Sequence, residues 1–294
     1  MTAGVGGRSA VATIVCTASA LVAFAANSVL CRLALDRAEI DAATFSTVRL
    51  ASGAVALWLL SLALRGGPRR IGGSWGSALL LFLYAVPFSF AYLSLGAGTG
   101  ALILFGTVQG TMLLAAVSTG ERPHPWQWIG LALALAGLVV LIIPGLSSPS
   151  SAGASLMAMG GITWGIYSLR GRGSTDPLLE TAGNFIRAVP LALAVSLLST
   201  RHLQVTADGV GLALLSGVVA SGGGYVLWYA ALKGLSATRA AAVQLPVPVL
   251  AAAGGVILLG ESVSARLAGS TILILAGVAL ALAGRERRGG SRSG

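Results

Sequence analysis

Two arginines, Arg49 and Arg187, each sit about eight residues inside a long apolar run, roughly 12 Å along a helix axis from its end. An ionisable side chain at that depth is costly and by default faces a cavity or a partner. Each could touch a solute or gate, or serve as scaffold by snorkelling and pairing with carbonyls; the residues alone leave both readings open. Four amides, Asn27, Gln109, Asn184 and Gln244, also interrupt apolar runs. Buried amides hydrogen-bond neighbouring helices or a ligand. Gln244, beside Pro246 and Pro248, is the preferred binding residue, and Asn27 the second. Among the aromatic residues, Trp164, Tyr167 and Tyr225 are candidates to line a cavity, whereas Trp228 and Tyr229 fit helix packing. A proline inside a helix costs about 3 kcal/mol, and in hydrocarbon it is tolerated only where freed carbonyls meet protein or water. Pro246 and Pro248, with Gly222 and Gly223, are therefore candidate gating or hinge positions, although the glycines also suit close packing.

This chemistry is that of binding, not of bond-making. His124 and His202 fall in loops, and no carboxylate accompanies a histidine inside an apolar run. Cys16 and Cys31 share one predicted helix, too far apart to form a disulfide, and have no metal-ligand spacing. An enzyme, a metal site and a cofactor are not expected. All nine acidic residues lie in loops, tails or run ends, which disfavours proton coupling through a midplane carboxylate and suits a facilitator or exchanger.

The elements that must position these residues are helices in a bilayer. The chain is 55% hydrophobic and 10% charged, with a mean hydropathy of +0.87, where a soluble domain carries about 25% charged residues. The net charge of +10 does not point to nucleic acid, because the basic residues lie between apolar runs and at the C-terminus. Ten runs approach the roughly 20 residues that span a bilayer: about 10–31, 42–64, 75–95, 98–118, 126–144, 152–170, 179–199, 209–231, 237–259 and 266–284. Thirteen basic residues fall on the side of the membrane that holds the N-terminus, against Arg32, Arg37, Arg201 and Arg266 on the other. Both termini are thus expected to be cytoplasmic, in the inner (plasma) membrane.

The halves repeat. The offset that places Gly120-Glu121 on Gly260-Glu261 also brings Leu133, Leu135, Ala136 and Gly137 onto Leu273, Leu275, Ala276 and Gly277. Slightly smaller offsets bring Arg49 onto Arg187 and Tyr92 onto Tyr229. Five runs per half is an odd number, so the second copy enters the membrane from the opposite face. Inverted repeats place a solute site near the midplane between the halves. The expected fold is an all-α integral membrane protein of ten transmembrane helices, with repeats at 10–144 and 152–284. A short N-terminus (1–9), a linker (145–151) and a basic tail (285–294) complete the division.

The pattern Tyr229, Ala231, Leu232, Ala237, Ala240, Pro246, Leu250 and Leu259-Gly260-Glu261 resembles the EamA domain of the drug/metabolite transporter superfamily. Tyr92, Leu95, Ala101, Gly120 and Glu121 resemble it in the first half, which departs from it by having Gly106, Thr107, Gln109 and Gly110 where the second half has its prolines. The resemblance implies a transporter, often an exporter, of amino acids or related metabolites. Its partners would be a small-molecule solute and the lipid bilayer; a homodimer is left open. A non-transporting receptor or scaffold is the alternative, ahead of an intramembrane enzyme.

Overall fold

The computed structural model describes residues 3–65, 71–118, 125–142, 149–172, 174–232, 240 and 243–286. Apolar, alanine- and leucine-rich runs fold as helices because in such sequence only the helix satisfies every backbone donor locally. Among the described residues ten longer helices follow in order: α1 Ala3–Asp36, α2 Ala42–Arg65, α3 Trp75–Ala91, α4 Ala97–Ser118, α5 Pro125–Ile142, α6 Ser151–Gly171, α7 Pro177–Leu198, α8 Ala207–Leu232, α9 Pro246–Leu259 and α10 Ala265–Glu286. Their starts are punctuated by side-chain caps: Ser74, Ser150, Asp176 and Thr206 each accept a backbone N–H from the first turn. Gly260 ends α9 at φ 68°, where a side chain would be strained.

Five of these helices are long and apolar enough to cross a membrane: those over Val11–Asp36, Ala42–Leu64, Ala97–Ala115, Pro177–Leu198 and Ala207–Leu232. Helices α3 and α9 are apolar but shorter. Among the described residues of the run expected over 237–259, Ala240 and Val243 are helical, a turn follows at Gln244–Leu245, and α9 begins at Pro246. Pro246 takes the first helical position, where its missing N–H is no loss. The basic link Lys233 to Arg239 and Glu121 lie outside the described residues.

The molecule is apolar outside and partly polar within. Ile14, Leu59, Ile257 and Ile272 are exposed, whereas Arg49, Asn27, Gln244, Ser216 and Ser221 are buried. In water so much exposed apolar surface would aggregate; against lipid tails it is the stable arrangement.

Helix packing follows the sequence repeat. The most extensive contacts are α5 with α10 and α2 with α7, each a helix against its own counterpart. The pairs α3–α6 and α4–α6 are mirrored by α8–α1 and α9–α1. Exchanging the halves therefore leaves the main packing unchanged.

One irregularity breaks α8. Residues Ser216–Gly223 form a π-helix between α-helical Ala207–Leu215 and Gly224–Leu232. At Gly217 a side chain would strike Ser52 and the Arg49 carbonyl, so this glycine lets α2 and α8 cross closely. Gly161 does the same for α6 against Thr107 and Leu104 of α4.

Candidate solute site

Arg49 leaves α2 one-third of the way along and enters the core, where it is 1% exposed. Its Nε donates to Ser221 Oγ at 2.9 Å, and its Nη2 donates to Tyr84 Oη at 3.1 Å. The guanidinium carbon lies 5.2 Å from the Tyr84 ring centre and 5.0 Å from that of Phe88, within cation–π range. Nη1 is buried and has no hydrogen-bond partner among the described residues. Both direct partners are neutral hydroxyls. No ion pair forms at Arg49 among the described residues, and the acidic side chains lie near helix ends and loops.

Asn27 on α1 completes this polar centre. Its Nδ2 donates to Tyr84 Oη at 3.3 Å, and its Oδ1 accepts from Ser216 Oγ at 2.5 Å. Tyr84 Oη thus bridges α1 and α2, while the two π-segment serines bind one residue each. The spacing explains the irregular helix. In an α-helix, positions five apart point to different faces. In a π-helix, with i→i+5 hydrogen bonds, five residues make close to one turn, so Ser216 and Ser221 face the same core. In the offset that places Tyr92 on Tyr229, Tyr84 falls on Ser221 and Phe88 on Tyr225. Arg49 is therefore held between equivalent positions of α3 and α8.

An aromatic wall adjoins the polar centre. Trp164 and Tyr225 have ring centres 4.7 Å apart, and Trp164 is 5.0 Å from Tyr84 and 5.5 Å from Phe24. Tyr167 continues the wall from Trp164, and Phe185 packs edge-on against Tyr225. Trp228 is fully buried in a T-shaped contact with Phe24.

The remaining candidates lie elsewhere. Arg187, half-buried on α7, donates from Nη1 to the carbonyls of Gly72 and Gly183 at 2.7 and 2.9 Å. It ties α7 to the segment ahead of α3. Asn184 reinforces that tie, accepting from Ser74 N and donating to Tyr167 Oη. Gln244 is fully buried; its Nε2 donates to Ala240 O at 2.9 Å, and its Oε1 has no partner among the described residues. Gln109 lines a 10 Å³ cleft with Phe105, Leu245 and Pro248. Gly222 and Gly223 belong to the π-segment.

One end of the helix bundle is latched across the halves. Glu261, just past α9, accepts from the first N–H of α4 at Ala97 through both oxygens (3.0 and 2.9 Å), and from Arg32 Nε at 3.3 Å. A carboxylate is favourable at that positive helix end. Arg32 also donates to Tyr92 O and pairs with Asp36. Nearby, Ile40 and Val205 form an isolated antiparallel bridge, flanked by Asp41 N to Gln204 O and Thr206 N to Glu39 O.

The EamA-like transporter family matches residues 11–143 and again 151–283, almost the whole chain in two copies. The chain belongs to this family. An uncharacterized protein of Pseudomonas aeruginosa is 51% identical over 278 residues, 94% of this chain and 96% of its own length. A probable terminal-alkyne amino-acid exporter of Streptantibioticus cattleyicolor is 28% identical over 85% of this chain and 84% of its own. A probable amino-acid metabolite efflux pump of Escherichia coli is 28% identical over 69% and 74%. A crystal structure with 21% sequence identity matches with a TM-score of 0.66, covering 91% of this chain and 98% of that one; it shows a shared fold.

Within this EamA framework, Ser216 and Ser221 are residues that sequence reasoning missed. Their five-residue spacing fits neither face of an α-helix. The signal was the run Ser221-Gly222-Gly223-Gly224, read only for its glycines. Phe24 was also missed, an apolar residue in an apolar run.

Proposed function

We propose that this EamA-family protein carries a small amphipathic organic metabolite across the inner membrane, as an exporter, by alternating access between two inverted five-helix repeats with both termini cytoplasmic. The observation that carries this reading is the buried centre itself. Asn27, Arg49 and Tyr84 from the first half meet Trp164, Ser221 and Tyr225 from the second. Polar groups flanked by an aromatic wall suit a solute with one polar end and one apolar end, and the junction of inverted repeats is where alternating access exposes a site to each side in turn. The exporter names of the Streptantibioticus and Escherichia relatives point to amino acids or their derivatives as the solute class. The latched end, with Arg32, Glu261 and the Ile40–Val205 bridge, would be the closed extracytoplasmic gate.

The test is flux. Purified protein in liposomes loaded with amino acids and their derivatives should release at least one of them faster than protein-free vesicles. It should also show counterflow when unlabelled solute waits on the opposite side. Equal leak from both vesicle types across the panel would refute transport and favour a receptor.

A further inference from the structure

Arg49 and Arg187 coincide under the sequence repeat, yet they are used differently. Arg187 is held by backbone carbonyls, permanent features of the fold. Arg49 is buried to 1% exposure, is held by two neutral hydroxyls, and keeps Nη1 without a hydrogen-bond partner among the described residues. A buried cation with no counter-charge in the protein is among the most costly arrangements, because neutral groups replace its hydration only in part. Purely structural purposes would be met at lower cost by an apolar or amide side chain. The cost is intelligible if an anion completes the site during the working cycle.

We propose that Arg49 is the docking point for the carboxylate of the transported solute. The inference deepens the transport reading above and rests on it. The guanidinium fork matches a carboxylate in two parallel hydrogen bonds. Nη1 is free for one, and Nη2, now on Tyr84, supplies the other by exchanging one neutral acceptor for a charged one. Ser221 keeps Nε and fixes the plane of the fork. The rings of Tyr84 and Phe88, with centres 5.4 Å apart, both pack on one side of the guanidinium, so a ligand approaches from the side away from them. One cation without a second nearby fits a singly charged carboxylate better than a phosphate ester. The Trp164–Tyr225 wall receives the apolar part. A free α-ammonium would find only ring faces and neutral oxygens, which the test also resolves.

The experiment uses the full chain in lipid nanodiscs and follows its melting temperature against ligand concentration. The probes are phenylalanine, leucine and their 2-oxo acids, set against the two amides, phenethylamine and inorganic phosphate. The acids are expected to bind at least about tenfold more tightly than the amides, the amine and phosphate. Arg49→Gln should reduce acid binding to the amide level without lowering the melting temperature of the unliganded protein. Arg187→Gln should keep the preference for acids. If Arg49→Gln does not fold, Arg49→Lys, which keeps the charge and loses the fork, should narrow the preference. Equal binding of acids and amides, a preference that survives Arg49→Gln, or no stabilisation by any carboxylate would overturn the proposal. Liposome flux separates the two readings. Amides or amines moving as well as acids would keep transport and remove the Arg49 assignment. A carboxylate preference without flux would keep the site and remove transport.

Discussion

At the level of single residues, the Tyr84 hydroxyl has the most to do. It accepts from both Arg49 and Asn27, so removing it leaves a buried charge and a buried amide short of a partner. Tyr84→Phe keeps the ring and should cost about 1–3 kcal/mol. Each kcal/mol should lower the melting temperature by about 1.5–2 °C for a protein of 294 residues. If Arg49 docks the solute as proposed, flux should fall more than the stability loss explains, because the fork that would bind it is displaced. Arg187→Gln should behave oppositely: a stability loss of about 2 kcal/mol from the broken ties to Gly72 and Gly183, with solute selectivity intact, measured by the same melting and flux assays. The sequence showed that both arginines were deep in apolar runs. It could not separate them, since their difference lies in partners more than twenty positions distant, Tyr84 and Ser221 for one and Gly72 for the other.

At the level of elements, α8 is the piece whose geometry matters most. Its π-segment aligns Ser216 with Asn27 and Ser221 with Arg49. Deleting one lipid-facing residue, Val219, should let the segment relax toward an α-helix and part the two serines. The expected result is a protein that retains its helical circular dichroism and expression but loses at least about tenfold in flux, as displacement of positioning groups commonly costs. Unchanged flux would show that the serines are dispensable. The ten helices were legible from run length and apolarity alone. The π-segment was not, because hydropathy is blind to whether a turn closes at the fourth or fifth residue. The break in the ninth run was legible from Gln244 and Pro246; that it is a turn at Gln244–Leu245, with Pro246 opening the helix after it, is visible only in the structure.

At the level of the whole molecule, the pseudo-symmetry of the packing and the latch at one end make a mechanical prediction. Ile40 joins α1 to α2 in the first half, and Val205 precedes α8 in the second. Cα atoms of bridged antiparallel residues lie about 4.5–5.5 Å apart, inside the range that a disulfide spans. With Cys16 replaced, the pair Ile40→Cys and Val205→Cys should crosslink on oxidation and arrest flux, and reduction should restore it. Flux that continues through the crosslink would mean this end does not open. The two-copy organisation could be read from matched motifs such as Leu259-Gly260-Glu261. The latch could not, because Glu261, Arg32 and Ala97 come together only in the folded chain. The unneutralised guanidinium has a further consequence, which is electrical. With a carboxylate that brings no ammonium of its own, such as a 2-oxo acid, on Arg49 the core of the loaded protein is neutral, and without one it holds a fixed positive charge. A membrane voltage would then act on the return of the empty protein, not on the passage of the loaded one, in proportion to how far Arg49 moves through the field. A full crossing of one charge corresponds to about 2.3 kcal/mol per 100 mV, so even a partial one would make turnover sensitive to voltage.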